Sequence, residues 1–336
     1  MLGETMRRFR ESLGLNQSEF AGWLNEKMSR RYDKQKISSW ERGAERVPQA
    51  VATLLAKSLS AKAAEQQTGP AFIIAVANQK GGVGKTTSSV NIASALALRG
   101  YKVALVDTDP QASATRHLGV NPLEHAAAGK TVHHALQGTI KIKDILVEVP
   151  NTALLVAPSS ISLAKFDAEG NSEAGADMIL REVLEEVQNS LDFIVIDCPP
   201  NLGKLTVNSL AVANTVLIPC QTEPLALMGI DDLFESIRKT KRRLNPRLTV
   251  AGILPTMHGP NLVEDKTSLE QIYTEYGSST RIFPFVQSAA IYPQSVRAGR
   301  AVVEAMPSAP GVSAYNAVAE ALVEARNESV EVHHVA

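Results

Sequence analysis

Lys80-Gly81-Gly82-Val83-Gly84-Lys85-Thr86-Thr87 follows directly on the apolar run Phe72-Ile73-Ile74-Ala75-Val76-Ala77. A short buried strand that runs into glycines and then Lys-Thr is a cradle for a nucleoside triphosphate. The glycines let the backbone curl round the phosphates with N–H groups pointing inward. The helix expected to follow presents its positive end to the same anion. Lys85 is placed to reach the β- and γ-phosphates, and the Thr86 hydroxyl to ligate Mg²⁺. The stretch from Lys80 to Thr87 is thus the candidate nucleotide-binding loop, with Gly81, Gly82, Val83 and Gly84 as its backbone. It departs from the general phosphate loop in one respect. Gln79 stands where that pattern has glycine, and a second lysine, Lys80, comes one step later.

The surrounding sequence says what the loop is set in. From Ala71 onward, apolar runs alternate with amphipathic stretches. The runs are Phe72–Ala77, Val103–Val106, Ala153–Val156, Phe193–Ile196, Thr215–Ile218 and Leu248–Leu254. Helical patterns such as Ser88–Arg99, Asp177–Asn189 and Asp231–Arg243 lie between them. Buried strands alternating with helices predict an α/β body at 71–336, a mostly parallel sheet with helices on both faces. Ahead of it, residues 1–58 read as a small all-helical unit. Residues 59–70 are small and polar, end in Gly69-Pro70, and read as a linker.

The 336 residues are 44% hydrophobic and 21% charged, enough to bury a core, and the formal net charge is -1. The charge is unevenly spread. Residues 1–60 hold 11 Lys/Arg against 7 Asp/Glu, so a basic head precedes a mildly acidic body, and the head is where nucleic acid is expected. Cys198 and Cys220 lack metal-ligand spacing, which argues against an iron–sulfur or disulfide framework and fits a reducing cytoplasm. No run is long enough to span a bilayer. The polar, acidic stretch at 324–334 is not the basic amphipathic helix that holds a protein on a membrane surface. No membrane role is expected.

Two further strands end in acids. Val103-Ala-Leu-Val-Asp107 continues into Thr108-Asp109-Pro110-Gln111, and Phe193-Ile-Val-Ile-Asp197 into Cys198-Pro199-Pro200. Carboxylates at the C-terminal ends of such strands sit in the crevice where an α/β sheet binds its ligand. Hydrolysis of a phosphoanhydride needs Mg²⁺ and a group that orients water. Asp197 is placed to bind Mg²⁺ through water or to hold Thr86.

The Lys-Gly-Gly-x-Gly-Lys-Thr form, with the two acid-ended strands, resembles the deviant Walker A ATPases of the ParA/MinD group over roughly residues 71–325. The resemblance implies that Lys80 crosses a dimer interface to the partner's nucleotide, that Asp109 positions the attacking water, and that Asp107 supports the metal shell. Lys80, Lys85 and Asp109 become the catalytic set, and Thr86, Asp107 and Asp197 the metal set. It also implies that adenine is held by Pro255, Thr256 and Met257, with the stretch begun by Phe283-Pro284-Phe285 closing over it. Arg297 and Arg300 lie where the family carries basic residues for bulk DNA. The basic helix end at Arg238 and Lys239 is a second candidate for that role, or a solvated helix end that suits the dipole.

Residues 6–59 resemble the lambda-repressor/Cro (XRE) type of helix-turn-helix. The matching residues are Phe9, Arg10, Leu13, Gly14, Asn16, Gln17, Phe20, Ala21 and Leu24, then Lys36-Ile-Ser38-Ser39-Trp40-Glu41-Arg42-Gly43 and Pro48. Phe9, Leu13, Phe20, Ala21, Leu24, Ile37, Trp40, Leu54 and Leu55 fit a helical core. Asn16 reads as an N-cap with Glu19 three residues on. The resemblance implies a structural Arg10–Glu41 pair, Gln17 on a phosphate, and Lys34, Lys36, Ser38, Ser39 and Arg42 as DNA contacts, with the recognition helix in the segment containing Lys36 to Arg42. The span from Leu24 to Ile37 is about six residues longer than this family's usual spacing, so an extended basic turn with Lys27, Arg30, Arg31 and Lys34 is expected.

Taken together, these resemblances imply a partition ATPase using ATP and Mg²⁺. An ATP-dependent sandwich homodimer binds non-specific DNA, a ParB-type partner stimulates hydrolysis, and the helix-turn-helix binds and represses an operator. The expected location is cytoplasmic and nucleoid-associated. The rival readings are a nucleotide-gated transcriptional repressor without a segregation role, and a positioning ATPase for a non-DNA cargo.

Overall fold

A computed structural model describes residues 3–55, 58, 69–150, 152–168, 175–223 and 228–335. Most of the expected linker, 59–68, lies outside the described residues. All six apolar runs become strands, joined by one short strand that the sequence pattern does not announce. They are β1 (Phe72–Val76), β2 (Val103–Asp107), β3 (Val147–Glu148), β4 (Leu154–Ala157), β5 (Phe193–Asp197), β6 (Thr215–Gln221) and β7 (Thr249–Thr256). The sheet order is β3-β4-β2-β5-β1-β6-β7. Every pairing is parallel except β3 against β4. β3 escapes notice because two residues carry no periodicity.

Residues along β1, β2 and β5 are buried throughout, because helices cover both faces. Ile73, Ala75, Val106, Ile194 and Ile196 pack into one apolar layer, and Ile74, Val76, Leu105 and Val195 into the other. This is the period-two alternation of a pleated strand, apolar on both sides. The helix Lys85–Leu98 is buried over most of its surface. Its small residues, Ser88, Ser89, Ala93, Ala95 and Ala97, let it lie close between the sheet and the C-terminal helix Val312–Val335.

The N-terminal unit has its own core. It comprises α1 (Gly3–Ser12), α2 (Gln17–Met28), α3 (Lys34–Glu41) and a helical stretch at 49–55. Met6, Phe9, Phe20, Ala21, Leu24, Ile37, Trp40, Val51 and Leu55 are buried together. Met6 and Val51 take places expected of Leu13 and Leu54, which are only partly buried. Asn16 caps α2 in a capping box with Glu19. Arg10 Nε donates to Glu41 Oε1 at 2.6 Å, and both side chains are nearly buried.

The lengthened span between Leu24 and Ile37 differs from the expected extended turn. Most of the additional residues prolong α2 to Met28, where Ser29 turns left-handed, and only residues 29–33 connect the helices. α3 starts at Lys34, where Asp33 caps it, accepting from Lys36 N at 2.8 Å.

The Val312–Val335 helix is fastened by a buried ion pair. Arg326 Nη2 lies 2.7 Å from Asp192 Oδ1, with the guanidinium over the rings of Tyr101 and Phe193. Removing one partner leaves a buried charge unpaired. Arg326→Ala is expected to lower the unfolding free energy by about 3–5 kcal/mol. Urea denaturation followed by circular dichroism measures this, and a loss under about 1 kcal/mol would show the pair to be dispensable.

Candidate functional site

The site forms where β1, β2, β5, β6 and β7 end. After β1 the chain turns through Gly82 and Gly84, with φ of +79° and +83°, a region that L side chains avoid. Lys85 opens the helix that follows, so the loop closes on first-turn N–H groups without intrahelical partners. Lys85 is buried, and its Nζ donates to the Lys80 carbonyl at 2.7 Å. Burial pulls its pKa down, opposed by the charge of Asp197. Lys80 makes an ion pair with Glu223 of the same chain.

Three predicted acids converge beside this loop. Asp107 and Asp197 are register partners on β2 and β5, and both are fully buried. Asp197 accepts Thr86 Oγ1 and Ser89 Oγ, each at 2.8 Å. Asp107 accepts Thr115 N at 2.8 Å, Thr115 Oγ1 at 2.7 Å and Asp109 N at 3.2 Å. Burial pushes the pKa of both carboxyls up. The next cause is the Asp107 charge for Asp197; for Asp107 the Thr115 hydrogen bonds pull the other way. Asp109 follows on the β2 loop, its carboxylate accepting Gln111 N at 2.9 Å and its carbonyl Ser159 Oγ at 2.7 Å.

This donor set suits a hard dication. Hydroxyl and carboxylate oxygens face one another, and desolvated carboxylates gain from a cation. Among the described residues no three His, Cys, Asp or Glu side chains form a metal cage.

A cavity of about 320 Å³ adjoins the loop at Gly84 and Thr87. Thr256 and Met257 line it, with Thr256 Oγ1 donating to the Val83 carbonyl at 2.8 Å. Pro255 stands behind them in β7, its carbonyl accepting Val286 N at 2.8 Å. Pro284 instead lines a separate groove with Phe285 and Pro307–Gly311, because Phe283 turns inward and its neighbours outward. Val286 and Gln287, which follow Phe283-Pro284-Phe285 in the stretch expected to close over the base, line the cavity wall. Sequence reading missed Tyr292 and Tyr315 there, which come from helices that only the tertiary fold brings to the cavity.

The DNA candidates fall into three places. Gln17, Lys34, Lys36, Ser38, Ser39 and Arg42 line one polar concavity over α3. Within it Gln17 Nε2 donates to Glu41 at 2.8 Å and Lys36 pairs with Glu45. Arg238 and Lys239 are exposed on the helix Met228–Arg243, with Lys239 held by Glu235 at 2.6 Å. Arg297 ends the helix Ile291–Arg297, and Arg300 pairs with Glu304 at 2.9 Å. This last segment presses on the helix that follows Asp109. A Cβ on Gly299 would stand 3.1 Å from Gly119 Cα, and Ser295 Oγ lies 3.4 Å from His117 Nε2.

Residues 71–250 match the family described as an AAA domain. The chromosome-partitioning ATPase Soj of Treponema pallidum is 38% identical over 240 residues, covering 71% of this chain and 88% of that one. Soj of Thermus thermophilus is 36% identical over 253 residues, covering 74% and 93%. A crystal structure from Mycobacterium smegmatis, described as cobyrinic acid a,c-diamide synthase with a bound ATP analogue and magnesium, superposes with a TM-score of 0.65. It is 31% identical and covers 75% of this chain and 94% of that one. No described helix is long and apolar enough to cross a membrane.

His117 supplies a test of this packing. Burial lowers its pKa to about 4 from the ordinary imidazole value of 6.5, so it stays neutral in the fold. The unfolded chain therefore binds its proton first, and stability is lost as pH falls below about 6.5. Between about pH 7 and about pH 5 the loss is expected to be roughly 2 kcal/mol, removed in His117→Gln. Urea denaturation at the two pH values reads it, and equal pH dependence in both proteins would refute it.

Proposed function

This chain belongs to the AAA-domain family of Soj/ParA partition ATPases, and we propose that it is an ATP- and Mg²⁺-dependent DNA-partition ATPase that also carries its own operator-binding head. The observation that carries the ATPase reading is the convergence of Thr86 and Ser89 on buried Asp197, beside Lys85 and under the glycine loop. Mg²⁺ would supply neutralisation of phosphate charge here. Thr86 and Asp197 would hold it, with Asp197 fixing Thr86, and Asp107 sets the loop that carries Asp109. Lys85 neutralises phosphate charge, Asp109 orients the water, and the cavity at Thr256 and Met257 takes the adenine.

Two nucleotide-bound subunits form a sandwich in which Lys80 of each reaches the other's phosphates. The dimer grips DNA without sequence preference through Arg297, Arg300, Arg238 and Lys239, so its binding falls steeply with salt. A ParB-type partner bound to a centromere-like site stimulates hydrolysis and release. The division into a head at 1–58 and a body at 71–336 gives the head its own task, repression of an operator through α3. The separate core of the head supports that division. A nucleotide-gated repressor is the alternative, favoured if the ATP-bound chain fails to bind DNA lacking an operator.

The deciding experiment is binding of the full chain to random-sequence duplex with ATP–Mg²⁺ and with ADP–Mg²⁺. Binding that requires ATP supports partition; binding indifferent to nucleotide removes the switch. Asp109→Ala is expected to bind ATP and dimerise while turnover falls at least about a hundredfold. Near-normal turnover would take Asp109 out of the water-positioning role. Lys80→Ala is expected to bind nucleotide yet lose partner-stimulated hydrolysis, and retained stimulation would rule out the contact across the dimer.

A further inference from the structure

The connection between α2 and α3 carries more charge than a link between two helices requires. From Glu26 to Lys36 there are five cations, Lys27, Arg30, Arg31, Lys34 and Lys36, against two acids, Glu26 and Asp33. Lys36 is paired with Glu45, and Asp33 caps α3. Lys27, Arg30, Arg31 and Lys34 are exposed, and no ion pair to any of them is found among the described residues.

The backbone under these charges is held firmly. Asn25 Nδ2 donates to the Tyr32 carbonyl at 2.8 Å, and Tyr32 N donates to Asn25 Oδ1 at 2.6 Å. One side chain thus closes the connection as a strand partner would. The Tyr32 ring meets buried Trp40 of α3 edge-on, with centroids 5.0 Å apart. Ser29 is left-handed at φ 51°, which turns the chain sharply out of α2. Arg30 and Arg31 therefore ride on a frame bolted to α3, and two adjacent like charges are kept close without a counter-charge among the described residues. A frame of this kind is built for an external anion. Guanidinium groups suit phosphate, which they bind through two parallel hydrogen bonds.

The position also fits. Lys34, Ser38, Ser39 and Arg42 line the concavity of α3, and Arg30 and Arg31 come immediately before its first turn. With α3 in a major groove, the connection before it runs beside the sugar-phosphate wall. We infer that Arg30 and Arg31 form a preordered clamp on the DNA backbone, flanking the groove that α3 enters. This rests on reading the N-terminal unit as a DNA-binding module. The clamp adds affinity and fixes register without reading bases.

The test uses the full chain with ADP–Mg²⁺, which keeps the ATP-dependent DNA binding of the body out of the measurement. The probe is the duplex immediately upstream of its own gene, with affinity followed by fluorescence anisotropy across a salt series and the site by footprinting. Arg30→Ala/Arg31→Ala is expected to make the slope of log K against log salt shallower by about 1 per arginine. Affinity should weaken on the order of tenfold per arginine at about 0.1 M salt, with the footprint in place. Arg30→Lys/Arg31→Lys should keep the slope. Unchanged slope and affinity in the alanine pair, with binding lost in Arg42→Ala, overturns the clamp and leaves the DNA module standing. A displaced footprint overturns it too, since the arginines would then be reading sequence. No binding by the unsubstituted chain overturns the module and the clamp together.

Discussion

Asp197 is the constraint on which the rest of the site depends. It ends the central strand β5, between β1 and β2, and is fully buried. Its carboxylate takes the hydroxyls of Thr86 and Ser89, fastening the first turn of the Lys85–Leu98 helix. Its carbonyl takes Thr108 N at 3.0 Å and Thr108 Oγ1 at 2.7 Å, fastening the loop that carries Asp109. One residue thus sets the distance between the phosphate cradle and the acid proposed to aim water. The hydroxyl bonds offset part of the cost of burying the charge, and the remainder is what a bound cation relieves.

The phosphate loop, the acid-ended strands and the mostly parallel character of the sheet were legible in the sequence because each rests on local chemistry. A glycine needed at φ near +80°, as at Gly82 and Gly84, and a five-residue apolar run ending in Asp leave unmistakable traces. The α2 cap was legible for the same reason, since Asn16 and Glu19 satisfy each other across one turn. What was not legible depends on distant contacts. Tyr292 and Tyr315 enter the cavity only because the C-terminal segments fold back over the Lys85–Leu98 helix. The extended turn expected after Leu24 gives way to a short connection after α2, which Asn25 holds through Tyr32 seven residues away, a contact no local pattern announces.

The segment bearing Arg297 and Arg300 is packed on the helix that follows Asp109. The Gly119–Gly299 approach brings two backbones together with no side chain between them. His117 and Ser295 meet on the same surface. Helix Ile291–Arg297 also supplies Tyr292 to the cavity wall. The arginine segment, the cavity at Thr256 and Met257 and the Asp109 loop are therefore contiguous, and a shift in any one of them must displace close-packed neighbours.

Lys80 is already committed within its own subunit, to Glu223. Any bond it forms with another molecule is consequently an exchange of partners and not a net gain of one. A half-exposed pair of this kind stabilises by no more than about 1 kcal/mol. The penalty for release is therefore small, and what the pair mainly does is keep an ammonium from pointing at random into the cleft. The lysine waits in a defined place, and the carboxylate it leaves behind becomes a fresh negative charge at the rim of the site.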